Sequence, residues 1–260
     1  MDWMYTLSGF LVGLIVGVTG VGGGSLMTPL LVLMFGVAPA TAVGTDLLYA
    51  SLTKSVGGWV HGRRGTVDWK IVGLLSLGSL PAAVATIALL KYLALDENTL
   101  RGLVTSVLSV ALLLTGAALL LKDKVRQLGR RKDGMMFELH HSHLPAATII
   151  TGALVGILVT ISSVGAGALG MVVLLFLYPR HATVRLVGAD IAHAVPLTAV
   201  AGVGHIALGT VDFVLLGSLL LGSLPGIYIG SHLSAKMPEK VLRPLLATML
   251  LLIGTRMALY

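Results

Sequence analysis

The chain has 260 residues, of which 56% are hydrophobic and only 11% are charged. Soluble globular proteins carry about 25% charged residues, and a mean hydropathy of +0.95 is that of a membrane protein. The apolar residues form long runs rather than the alternating segments of porin strands, so the expected fold class is an all-α polytopic membrane protein. Because one crossing takes roughly 20 apolar residues, little sequence remains for a large cytosolic domain.

Cysteine content and motifs narrow the chemistry further. The chain contains no cysteine, which excludes thiol nucleophiles, thiolate metal sites and iron–sulfur clusters. It contains no P-loop, no HExxH zinc motif and no G-x-S-x-G elbow, so we expect neither an enzyme nor an ATP-driven machine, and no cofactor. The N-terminus lacks the basic region and cleavage site of a signal peptide, so its first segment is expected to be retained.

Hydropathy divides the chain into ten apolar segments, five on each side of a polar stretch. The second segment is short for a full crossing and is a candidate re-entrant half-hairpin. In chain order the segments lie near residues 3–20, 25–37, 40–60, 69–92, 99–121, 144–162, 165–178, 182–204, 213–234 and 241–259.

The two groups of five segments are copies of one another. A shift of 144 residues aligns residues 43–81 with 187–225, and 18 of these 39 positions are identical. The matches include Gly-Thr-Val-Asp at 65–68 and 209–212, and Gly-Ser-Leu-Pro at 78–81 and 222–225. We therefore divide the chain into a first membrane repeat (1–121), a basic cytoplasmic linker (122–143) and a second membrane repeat (144–260).

An odd number of segments per repeat predicts that the second repeat is inverted relative to the first. Basic residues concentrate in cytoplasmic loops, and the inverted arrangement places fourteen of the 18 Lys and Arg residues there, including the dense run in 122–132. The net charge of +7 is thereby assigned to topology rather than to nucleic acid. We expect a multi-pass protein of the bacterial inner (plasma) membrane with both termini extracytoplasmic.

Several spaced motifs stand out in the first repeat: Gly20-Val21-Gly22-Gly23-Gly24-Ser25, Pro29, Ala42-Val43-Gly44-Thr45 and Gly65-Thr66-Val67-Asp68-Trp69. Together they resemble the TauE/SafE sulfite exporter family of duplicated membrane permeases. The resemblance covers nearly the whole chain and implies a permease for small anionic sulfur compounds, working without ATP hydrolysis.

Glycine-rich breaks precede the short segment of each repeat and are candidate anion sites. Glycines allow the chain to turn inside the membrane, and helix N-termini attract anions; the alternative is that they only permit close helix packing. The substrate-binding residues expected at the breaks are Gly22, Gly23, Gly24 and Ser25 in the first repeat and Ser162, Ser163, Gly165 and Gly167 in the second.

Lys54 is a further candidate for substrate binding, because a cation inside a membrane segment is costly and usually functional. Its alternative is to extend along the helix to the cytoplasmic surface.

Proton coupling is expected at Asp46, Asp190 and His193. The two aspartates are repeat-related, and His193 follows Asp190 by three residues on one helix face. The alternative is that an aspartate in the first turn only stabilises the helix dipole.

Other polar residues are expected to be structural. His61 and His205 end the third segment of each repeat, and Asp68 and Asp212 have the position of helix N-caps. His140, His141 and His143 could bind a divalent metal, but exposed loops often carry histidines, and no metal site is predicted.

The function predicted is a secondary transporter for sulfite, thiosulfate or organosulfonates, working by alternating access with proton or gradient coupling. The alternative is a cation or metal-ion permease using the Asp and His residues as ligands; an intramembrane enzyme or scaffold is a third reading. The partners expected are a small anionic sulfur compound and the lipid bilayer, and a homodimer stays open.

Overall fold

The computed structural model describes residues 3–19, 24–130, 135–234 and 239–259. These residues form ten α-helices and no strand, as the all-α class predicts. Five helices are long and apolar enough to cross a membrane, and shorter apolar helices accompany them. The helices are α1 (Trp3–Thr19), α2 (Gly24–Phe35), α3 (Pro39–Arg63), α4 (Trp69–Leu93), α5 (Glu97–Arg130), α6 (Met135–Ser162), α7 (Ala168–Leu177), α8 (Thr183–Ala207), α9 (Phe213–Ser234) and α10 (Glu239–Ala258).

The polar stretch 122–143 is mostly helical rather than a loop. Helix α5 continues to Arg130 and α6 begins at Met135, so residues 131–134, which lie outside the described part, are all that separates them. Hydropathy marks only the part of a helix that lipid can surround. Lys, Arg, Gln and Leu are good helix formers, so α5 extends beyond its apolar part.

Helices α2 and α7 are too short to span a bilayer. They have 12 and 10 residues, which correspond to about 18 and 15 Å at the α-helical rise, against a hydrocarbon core of roughly 30 Å. The prediction that one segment of each repeat is short is therefore confirmed.

Glycines bring two pairs of helices from different repeats into backbone contact. A Cβ on Gly9 or Gly13 of α1 would meet the backbone of α9, and one on Gly152 or Gly156 of α6 would meet the backbone of α4. Such small-xxx-small spacing is how membrane helices pack closely without a hydrophobic driving force. In both pairs the two helices run parallel. The two contacts are equivalent, because α6 is the repeat partner of α1 and α4 is the repeat partner of α9.

At the centre, α3 packs against its own repeat partner α8. Gly202 of α8 faces Leu48 of α3, and Gly57 of α3 faces Ile191 of α8, so the two helices run antiparallel. Helices α5 and α10, which are also repeat partners, contact each other antiparallel in the same way.

Connections between helices of the two repeats lie near each other at both ends of α8. Near its start, the His181 ring lies 3.8 Å from the Asp68 carboxylate. Near its end, the α4–α5 and α8–α9 connections line one cavity of about 260 Å³, with Lys91 and His205 among its polar residues.

The residues expected to be structural are confirmed as helix-end partners. Asp68 accepts from the amides of Lys70 and Ile71, and Asp212 accepts from those of Val214 and Leu215. The His61 ring lies 2.8 Å from Thr66 Oγ1, and the His205 ring makes the equivalent 2.8 Å contact with Thr210 Oγ1.

Candidate functional site

Asp46 is a fully buried carboxylate at the junction of the two repeats. Thr28 of α2 donates to its Oδ2 at 2.5 Å, and Ser163 of the second repeat lies beside it. Neither Asp46 Oδ1 nor Ser163 Oγ finds a hydrogen-bond partner among the described residues. Since unpartnered buried polar atoms are costly, this pair is the first sign of a site.

The chain between α6 and α7 is a true helix break. Ser163 has a φ of 57°, and Gly165 and Gly167 have φ values of 118° and 126°. Residues other than glycine rarely adopt these two backbone conformations, so the turn itself requires these glycines. Close helix packing alone, the alternative considered above, does not account for them.

Lys54 points into the protein toward this break. Its Nζ donates to Ala166 O at 2.9 Å, immediately before the N-terminus of α7. The ammonium also acts electrostatically on Asp46 and Asp190, although neither carboxylate forms an ion pair with it. The alternative in which Lys54 reaches the cytoplasmic surface is therefore wrong, because the side chain is turned to a carbonyl that the break leaves free.

Asp190 occupies the repeat-equivalent position on α8 and faces the short helix of its own repeat. A Cβ on Gly170 of α7 would lie 2.5 Å from Asp190 Oδ1. Within the described ranges Asp190 makes no hydrogen bond, although only 4% of its surface is exposed. The helix-dipole alternative is wrong for both aspartates, because each lies seven residues after its helix begins and the dipole acts within the first turn.

His193 does not bond to Asp190, contrary to the pairing suggested by their spacing. Its Nε2 lies 2.7 Å from Ser79 Oγ on α4. The repeat partners of these two residues are Tyr49 and Ser223, which also lie close to each other. The hydroxyl of Ser79 competes for the ring because α4 packs directly against α8.

The predicted glycine-break residues are described unequally. Gly22 and Gly23 lie outside the described residues, and Gly24 and Ser25 form the first turn of α2. In the second repeat, Ser162 Oγ donates to Leu158 O at 2.6 Å and accepts from the amide of Val164 at 3.2 Å, which closes the end of α6.

No set of three His, Cys, Asp or Glu side chains comes together in the part of the chain that the structure describes. His143 is exposed, and the side chains of His140 and His141 lie outside the described residues.

Four participants were not identified from the sequence: Thr28, Tyr49, Ser79 and the carbonyl of Ala166. A signal existed for two of them. Tyr49 aligns with His193, and Ser79 lies in the repeated Gly-Ser-Leu-Pro motif. Thr28 and Ala166 have no such signal, because their contacts join distant segments.

Comparisons with known proteins match the whole bundle. Residues 5–257 match the family model described as Sulfite exporter TauE/SafE. The probable membrane transporter protein YjnA of Bacillus subtilis is 36% identical over 251 residues, covering 96% of this chain and 97% of the relative. The probable membrane transporter protein YdhB of the same organism is 31% identical over 256 residues, covering 94% and 97%. No solved structure matches significantly.

Proposed function

Because the chain belongs to the TauE/SafE sulfite exporter family and is a multi-pass membrane transporter, we propose that it carries small sulfur-containing anions by alternating access. Sulfite, thiosulfate and organosulfonates are the candidate substrates. The family and the relatives are transporters rather than enzymes.

The observation that carries this proposal is the position of Lys54 at the start of α7. Its ammonium lies 2.9 Å from Ala166 O, so a positive side chain and the positive end of a helix dipole converge at one break in the membrane-spanning bundle. An oxyanion that enters this site loses hydration, and the ammonium with the first α7 amides replaces part of it. The substrate residues proposed are Lys54, Ser162, Ser163, Gly165 and Gly167, with Gly22, Gly23, Gly24 and Ser25 of the first repeat.

We propose that the two repeats are inverted about an axis in the membrane plane. The antiparallel packing of α3 on α8 supports this, because repeat partners related by an axis along the membrane normal would run parallel. The turns predicted to be cytoplasmic, at Asp68 and His181, lie together, and the segments around Lys91 and His205, predicted to be external, share the cavity at the other end.

We propose that the buried carboxylates couple transport to a cation gradient. Asp46 and Asp190 lie at different depths along the antiparallel α3 and α8 pair, one in each repeat, and His193 lies one turn from Asp190. Buried acids and histidines of this kind carry protons in transporters.

Counterflow in proteoliposomes tests the proposal. Vesicles containing the purified protein and loaded with unlabelled sulfite, thiosulfate or taurine should accumulate the labelled anion, and Lys54→Gln should abolish most of this uptake. Lys70→Gln, which removes an exposed cation, is the matched control and should transport normally. Uptake of a divalent metal without anion uptake would support the cation-permease alternative and reject the anion proposal.

A further inference from the structure

A second buried polar pair lies on the same helix break as the proposed anion site. Asp46 is 0% exposed and Ser163 is 4% exposed. Asp46 Oδ1 and Ser163 Oγ both lack hydrogen-bond partners in the described ranges of the chain, although the two residues lie side by side.

The geometry points to a cation site: we propose that Asp46 Oδ1, Ser163 Oγ and Thr28 Oγ1 bind Na⁺. Thr28 donates its hydrogen to Asp46 Oδ2, so the lone pairs of its oxygen remain available. The Asp46 carboxylate of α3 thus has two hard hydroxyl oxygens beside it, one from α2 and one from the α6–α7 break. Interrupted helices supply ligands to coupling Na⁺ in inverted-repeat transporters generally.

The charge of the site favours a monovalent ion. A single carboxylate contributes one negative charge, and Lys54 already acts on it from the same helix. Each further positive charge in a low-dielectric interior is costly, so a monovalent ion is favoured over a divalent one. The ligands are oxygens, without the nitrogen or sulfur donors that select transition metals.

A cation bound at this place would be held by the lone pairs of Asp46 Oδ1 and Ser163 Oγ at once.

The location suggests co-transport, a step that rests on the proposed function. The cation ligand Ser163 and the Lys54 acceptor Ala166 lie three residues apart on the same break. Na⁺ on one side of this segment and an anion on the other would compensate each other's charge, so each should raise the affinity for the other by the same factor.

The first test needs no transport substrate. Thermal unfolding of the purified protein in detergent is followed while NaCl replaces choline chloride at constant ionic strength. We expect a saturable rise of the unfolding midpoint by a few degrees, because a ligand that binds only the folded state stabilises it. Asp46→Asn should weaken the apparent Na⁺ affinity by about tenfold or more, and Ser163→Ala should weaken it as well.

One variant serves as the matched control. Ser218→Ala removes a buried hydroxyl that donates only to Val214 O of its own helix, at 2.9 Å, and it should keep the Na⁺ response. If Asp46→Asn does not fold, Thr28→Val and Ser163→Ala carry the test.

The outcomes separate this inference from the proposed function. A wild-type protein that exchanges the anion but shows no Na⁺ response would overturn the cation site and leave the anion proposal standing. A Na⁺ response that persists in Asp46→Asn, or that Ser218→Ala removes equally, would also overturn it. A Na⁺ response that follows the expected variants, with no sulfur anion transported, would support the site and reject the substrate class.

Discussion

The two repeats share their helix ends and differ at their centres. The His–Thr contact after α3 and α8 and the Asp caps of α4 and α9 are the same in both halves. At the centre, by contrast, the repeat partners are Lys54 and Thr198, and Tyr49 and His193. The comparison indicates that the residues duplicated at the helix ends build the scaffold, whereas Lys54, which is proposed to bind the anion, has no charged counterpart in the second repeat.

The largest loss of stability is expected from substitution of the glycines at which the two repeats come into contact. A Cβ on Gly78 would clash with Ile149 O, and one on its repeat partner Gly222 would clash with Thr6 O. We expect Gly78→Ala and Gly222→Ala each to cost about 3 kcal/mol of stability, measured as loss of folded protein in detergent.

The control is a second pair of repeat-related glycines, Gly73 and Gly217. Nothing lies within 4 Å of a Cβ at either position, so alanine should be neutral or stabilising by about 0.5–1 kcal/mol. If all four variants behaved alike, backbone contact would not be the reason for these glycines.

Lys54 and Thr198 are repeat partners, and their variants test whether the centres of the two repeats differ in anion binding. Lys54→Gln keeps a donor for Ala166 O but removes the charge, so anion affinity should fall by about 10- to 100-fold with normal expression. Thr198 donates to Ala194 O of its own helix at 2.8 Å, and Thr198→Val should change affinity by less than about twofold. Binding is measured by scintillation proximity with a labelled anion. Equal affinity of Lys54→Gln and wild type would remove Lys54 from the site.

His61 and His205 make equivalent contacts with threonines, and their variants test whether the two histidines contribute equally to stability. His205 is buried, and its Nε2 also lies 2.9 Å from Thr160 O near the end of α6, whereas His61 is half-buried. His205→Ala should therefore cost about 2–3 kcal/mol, since it leaves a buried carbonyl unpaired, and His61→Ala about 1 kcal/mol. Thermal midpoints of the two variants give the comparison, and equal losses would contradict it.

The N-caps should give the smallest effect. Asp68→Ala and Asp212→Ala each remove a side chain that accepts from two amides, which is worth about 1 kcal/mol. The same assay should show two similar small losses. A loss above that of His205→Ala in either variant would indicate a role beyond capping.

The helices were predictable because lipid forces each backbone to satisfy its own hydrogen bonds. Long apolar runs therefore mark helices. The sequence does not predict the α5 extension beyond Leu121, because hydropathy does not register a polar helix.

The site was only partly predictable. Asp46 and Lys54 stood out because charge is rare in apolar segments, but their partners did not. Thr28 and Ala166 are ordinary residues in an apolar chain, and only the packing of α3 against α2 and the second break brings them near. His193 turned to Ser79 instead of Asp190, since spacing along one helix does not reveal what a neighbouring helix offers.

The contact of α1 with α9 also bears on how the chain is made. Gly9 meets Leu219, so the first helix acquires its main partner only after about 210 further residues have been synthesised. At roughly 5–20 residues per second, this leaves α1 in the bilayer for some 10–40 s with its glycine face uncovered. Neither repeat can complete its packing alone, and a ribosome that stalls before α9 would leave a chain open to capture by membrane chaperones and proteases.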